Sequence, residues 1–162
     1  MKKYMHTLEK TDALHFVQEH QVGVLATVSN DAVPELSTIY FFTQNDFITH
    51  FVTKTQTRKY HNFLAKRVAT LLVYDEEELA SAELSGEVET VTDIPKAVEV
   101  IEAFQELVLA RGSGYWVPPI AQLEMGHYAV CKLVPRSVRF QTLKIFSENI
   151  LRKPKILTTL LD

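Results

Sequence analysis

A single cysteine, Cys131, stands in a chain of 162 residues, so no internal disulfide is possible and a reducing, cytoplasmic setting is expected. Glycine (5) and proline (6) are scarce and never cluster, which excludes a collagen-like repeat and leaves no flexible linker to divide the chain. No apolar run approaches the ~20 residues of a bilayer span. The charged start MKKYMHTLEKTD lacks the apolar core of a secretory signal, and no membrane partner is expected. Cations do not predominate: 17 Lys and Arg face 20 Asp and Glu, for a net charge of -3. Nucleic acid is bound largely by neutralising phosphates, so no nucleic-acid partner is expected either. The basic cluster Arg152, Lys153 and Lys155 reads as a solvated tail. The phosphate-binding GxxxxGK[ST] and GxGxxG, the zinc-binding HExxH and the nucleophilic GxSxG are all missing. The six histidines show no ligand spacing, and no metal is expected.

What is present is an ordinary globular composition, 46% hydrophobic and 23% charged, at a length that suits one domain. We read residues 1–142 as that domain and 143–162 as a C-terminal extension, helical or docking on a partner. TDALHFVQEH fits a short helix capped by Thr11 or Asp12, with Leu14 and Val17 on one face. VGVLATVS, PELSTIYFFT and FITHFVT then read as three strands joined by short polar turns, an antiparallel meander. Tyr60, Phe63, Leu64 and Arg67 fall at helical spacing behind an N-cap at Thr55 or Thr57. VATLLVYD and AELSGEVETV give two further strands, with Gly86 placed to permit a bulge or a close approach. The acidic run Asp75 to Glu78 between them reads as an exposed turn. A third helix opens at Asp93, carries Pro95 in its first turn and stops at Gly112. GSGYWVPPIAQLEMG is expected as a loop, followed by the strands HYAVCKLV and SVRFQTL, broken at Pro135 and Arg136. Cys131 reads as a small buried hydrophobe within the first of these. Meander order does not suit a parallel βαβ sheet. It suits a mainly β protein, a small antiparallel barrel with peripheral helices.

Two segments carry chemistry. TKTQTRK, Thr53 to Lys59, leaves a strand and enters a helix with three hydroxyls and the cations Lys54, Arg58 and Lys59. A helix start offers unpaired N–H groups and partial positive charge, a seat for a phosphate. Thr caps and surface cations are also common there without any ligand. ELSTIY, Glu35 to Tyr40, sets Ser37 and Thr38 side by side, so their side chains point to opposite faces. The backbone between them is able to pair with a planar heterocycle lying along the strand.

Taken in order, VGVLATVSNDAVPELSTIYFF, ITHFVTKTQTRKYHNF, RVATLLVYD and LSGEVE resemble the pyridoxamine 5'-phosphate oxidase-like family of FMN-binding split barrels. The resemblance implies a six- to seven-stranded antiparallel split barrel with about three short helices. It also implies a homodimer with FMN in its interface clefts. It places the flavin phosphate on Thr57, Arg58 and Lys59 with the strand end at Val52 and Thr53, and Lys54 as an added charge. The ring would lie along Leu36, Ser37, Thr38 and Ile39. Trp116 would cover the flavin face or anchor the dimer or core. Glu35 and Tyr40 stand where family members that oxidise pyridoxamine phosphate carry basic residues, so vitamin B6 phosphate is not expected as the substrate. The implied activity is an FMN-dependent oxidoreductase acting on a small molecule. The alternatives are a deazaflavin protein, a haem protein using His50 or His127, and a non-catalytic flavin-binding or sensing protein.

Overall fold

The computed structural model describes residues 8–110, 112, 120–142 and 155–161. Seven strands form one antiparallel sheet: β1 (Val22–Val28), β2 (Pro34–Thr43), β3 (Thr49–Lys54), β4 (Val68–Asp75), β5 (Ala80–Thr90), β6 (Tyr128–Thr142) and β7 (Lys155–Leu160). Their order is β3-β2-β1-β4-β5-β6-β7, and β3 also pairs with β6, which closes the first six into a barrel. β7 adds to β6 beyond the closure, opposite Ser137 to Thr142. Strand alternation separates an inside from an outside. Leu25, Phe41, Phe51, Leu71, Leu84 and Leu133 point inward and are fully buried.

The helices pack against the strands of the barrel. α1 (Lys10–Glu19) buries Ala13, Phe16 and Val17, and the Phe16 ring lies 5.3 Å from that of Phe140. Its N-cap is Glu9 rather than Thr11 or Asp12. Asp12 acts from the third helical position, where its carboxylate accepts the Glu9 N–H at 2.7 Å, a reciprocal capping box. α2 (Arg58–Lys66) packs on β1, with Phe63 edge-on to Phe51. α3 (Ile94–Ala110) and the five-residue α4 (Ile120–Glu124) lie on the outer face of β3 and β6. There Ala97, Ile101, Leu123 and Val130 form a second apolar cluster that Val52 and Val91 join.

Three details differ from the sequence reading. The stretch around Pro135 and Arg136 does not split the strand: β6 runs unbroken for 15 residues. Its register against β5 shifts between Ser85 and Gly86, so that Ser85 faces Ser137 while Gly86 faces Pro135. Arg136 is the extra residue of a bulge, and it pairs with Glu87. Gly86 is required opposite it, because a Cβ would collide with the Val134 carbonyl. The segment before β6, expected as a loop, contains α4. Residues 155–160, for which a helix was one expectation, form a strand instead; alternation leaves Ile156, Thr158 and Leu160 on an exposed side. Among the described residues no helix is long and apolar enough to cross a membrane.

Candidate functional site

The β2–β3 pairing covers only Phe41 to Thr43, whereas β1 pairs with β2 from Pro34 to Tyr40. Among the described residues no strand therefore lies along the other edge of the first half of β2. The Phe41 N–H donates to the Gln21 carbonyl, on the β1 side, and the Val33 carbonyl accepts from Ser29 N–H on that side too. Backbone direction alternates along a strand. Odd-numbered residues thus direct their peptide groups toward β1, and Leu36 and Thr38 direct theirs to the open edge. Their side chains stand exposed on the outer face. Ser37 is half-buried on the inner face, and Ile39 is a core residue at 5% exposure whose peptide groups face β1, so it presents no polar group to the open edge.

The start of α2 lies at the same end of the barrel. Thr57 is its N-cap residue, and among the described residues no side-chain hydrogen bond caps the helix start. The Thr57 hydroxyl donates to the Lys54 carbonyl at 2.8 Å and lies 3.1 Å from the hydroxyl of buried Thr53, which locks the turn between strand and helix. Thr55 ties this turn to the start of β6: its N–H donates to the His127 carbonyl and its hydroxyl to that of Gly126 at 2.9 Å. Lys54 is exposed, with Nζ 5.9 Å above the Tyr128 ring. Lys59 is half-buried, and desolvation lowers its pKa from the ordinary lysine value. Val52 is turned away, into the apolar cluster beneath α3. Trp116 lies outside the described residues.

Sequence reasoning missed the contact that joins these two segments. Arg58 Nη1 donates to Glu35 Oε1 at 3.0 Å, and Asn62 Nδ2 donates to Glu35 Oε2 at 2.9 Å. The same amide donates to the buried Thr27 hydroxyl at 3.0 Å. A signal was present: Arg58 and Asn62 share a helix face at i, i+4, and Glu35 has the inward parity of Ile39 and Phe41. Of the two histidines considered as haem ligands, His127 is exposed after α4. His50 is buried on the outer face of β3, stacked on Phe42 at 5.1 Å between ring centroids. Among the described residues no group of three or more His, Cys, Asp or Glu is placed to hold a metal ion.

A six-stranded antiparallel barrel whose second strand has one open edge beside a cationic helix start defines a split-barrel protein. The family profile described as pyridoxamine 5'-phosphate oxidase matches residues 10–142, and the chain belongs to that family. No curated protein matches it significantly. Among solved structures it is similar to a conserved hypothetical protein of Mycobacterium tuberculosis, at 19% identity and TM-score 0.68, over 92% of this chain and 97% of that one. It is also similar to a pyridoxamine 5'-phosphate oxidase-related, FMN-binding protein of Nostoc punctiforme, at 16% identity and TM-score 0.61, over 95% and 99% of the two chains. A third is a protein described as an F420 reductase, at 21% identity and TM-score 0.61, over 76% of this chain and 93% of that one. At these identities the likeness is one of fold.

Proposed function

We propose that the chain is a flavoprotein that binds FMN between the open edge of β2 and the start of α2, and that it works as an oxidoreductase on a small molecule. The observation that carries this reading is the meeting of those two features at one end of the barrel. The uncapped first turn of α2, with Arg58 and Lys59, offers N–H groups and positive charge to a phosphate. The Leu36 and Thr38 peptide groups offer donors and acceptors to the polar rim of a planar ring. Thr53 and Thr57 hold the turn in place, and Lys54 adds charge at its entrance. When bound, the flavin supplies the hydride or electron transfer. The chain's own residues anchor the phosphate, align the ring along β2 and leave one ring face open to a substrate.

A second copy of the chain completes this cleft. The outer face of β2, β1 and β4 carries Leu36, Tyr40, Val22, Leu72 and Tyr74, exposed by 38–69%. Register places Val22 opposite Tyr40, Ala26 opposite Leu36 and Val24 opposite Leu72, so the patch is continuous. A contiguous apolar face of this kind marks an interaction surface, and a two-fold axis makes one patch serve both partners. A copy packed there would cover the ring lying along Leu36 to Ile39.

Replacing both Arg58 and Lys59 by Ala tests the reading. Both residues stand at the helix start, so the far-ultraviolet circular dichroism is expected to stay native. Flavin affinity, read by fluorescence quenching, is expected to fall by about 100-fold or more, since each charge-assisted bond contributes ~1.5–3 kcal/mol. Undiminished, stoichiometric FMN in the double variant would contradict the placement. A bound deazaflavin, identified by mass, would keep the site and change the cofactor.

A further inference from the structure

Glu35 brings a negative charge to the place where a cofactor phosphate would arrive. Its carboxylate is held from two sides of unequal firmness. Asn62, on the buried side, is 8% exposed, and its amide is fixed in turn by the buried Thr27 hydroxyl. Arg58, on the solvent side, has a side chain 82% exposed, against 19% for Glu35. The carboxylate is therefore the fixed member of the ion pair and the guanidinium the movable one. One Arg58 N–H group is engaged by Glu35, and a guanidinium carries five.

Resting on the flavin reading above, we infer that Glu35 is a charge filter at the phosphate end of the site, lowering the preference for a doubly charged phosphomonoester and keeping FMN exchangeable. Two arrangements are open to an incoming phosphate. Arg58 leaves Glu35, which strands a half-buried carboxylate on Asn62 alone; or phosphate and carboxylate share the guanidinium, a few ångströms apart with like charge. Both cost affinity in proportion to the charge on the tail. Neither touches the ring, so the effect falls on FMN and spares riboflavin, the same heterocycle without the phosphate.

The test is a titration of the full-length apo-protein with FMN and, separately, with riboflavin, in the wild type and in Glu35→Gln. Glutamine keeps an oxygen for Asn62 and removes the charge. The expected result is an FMN affinity higher in the variant by on the order of tenfold at low salt, the size of one unit-charge repulsion near a surface. Riboflavin affinity is expected to change by less than about twofold, and the FMN gain to shrink at high salt. Equal gains for FMN and riboflavin, or an unchanged FMN affinity, overturn the filter and leave the flavin reading intact. Failure of both proteins to bind either compound overturns the flavin reading and the filter with it. Thermal unfolding of the two apo-proteins keeps a folding defect apart from a binding effect, and Glu35→Asp, which keeps the charge, is expected to bind FMN like the wild type.

Discussion

His50 is 7% exposed and its Nδ1 is buried without a hydrogen-bond partner among the described residues. Desolvation, reinforced by the Lys132 ammonium and opposed by Asp46, lowers its pKa below the ordinary histidine value. Asp75 is lowered too, first by the Glu78 N–H at 2.8 Å and then by the His20 ring at 2.9 Å. Both shifts have the same sign for stability. A base that resists protonation when folded loses stability as pH falls from its unfolded value of about 6.5 toward its folded one. A carboxyl depressed when folded contributes above about pH 4 and loses that contribution as pH falls through its folded value. Acidification is therefore expected to weaken the fold in two stages, measured as denaturation midpoints across pH. His50→Phe keeps the stack on Phe42, removes the unpaired nitrogen and is expected to abolish the first stage. It is expected to raise stability near pH 6 by roughly 1 kcal/mol. An unaltered pH profile in that variant would contradict the assignment. Cys131, at 0% exposure and with its thiol pushed up to about 12 by burial, is a buried hydrophobe, as its apolar strand suggests.

At the scale of elements, the meander β1–β2–β3 was legible because its turns are spelled out by Asn30-Asp31 and Gln44-Asn45-Asp46 between β-branched runs. The entry to α2 was legible because a Thr cap precedes cations and an apolar stripe. Asp93 and Pro95 announced α3 in the same way, and the Asp93 side chain accepts the Lys96 N–H at 3.1 Å. The unbroken β6 was not legible, since Pro135 and Arg136 read locally as a break. Only the partner strand reveals the bulge, with Gly86 yielding the space. The Glu35–Arg58–Asn62 cluster escaped for a related reason: Arg58 and Asn62 are 23 and 27 residues from Glu35, and only the packing of α2 on β1, beside β2, brings them together. Gly86→Ala tests the bulge. The added methyl would meet the Val134 carbonyl, so a loss of about 1–3 kcal/mol is expected, measured by urea denaturation. A neutral substitution would mean that β6 relaxes without cost.

For the molecule as a whole, the barrel accounts for where a cofactor can sit. Closure uses the β3–β6 pairing, so β2 keeps an open edge, and the apolar wall beside it calls for a cover. Leu72→Glu combined with Tyr74→Glu would set charges in that wall without touching the phosphate end. The expected result, by sedimentation velocity and flavin content together, is a monomer that has lost most of its flavin. A monomeric variant with full flavin would contradict the shared cleft. FMN binding at this site is tested by the visible absorption spectrum of freshly purified, untagged protein supplied with FMN and then desalted, with the released chromophore identified by mass. A flavin spectrum and the mass of FMN are expected, at up to one equivalent per chain and rising in Glu35→Gln. A colourless protein that also takes up no added flavin during direct titration would contradict FMN binding.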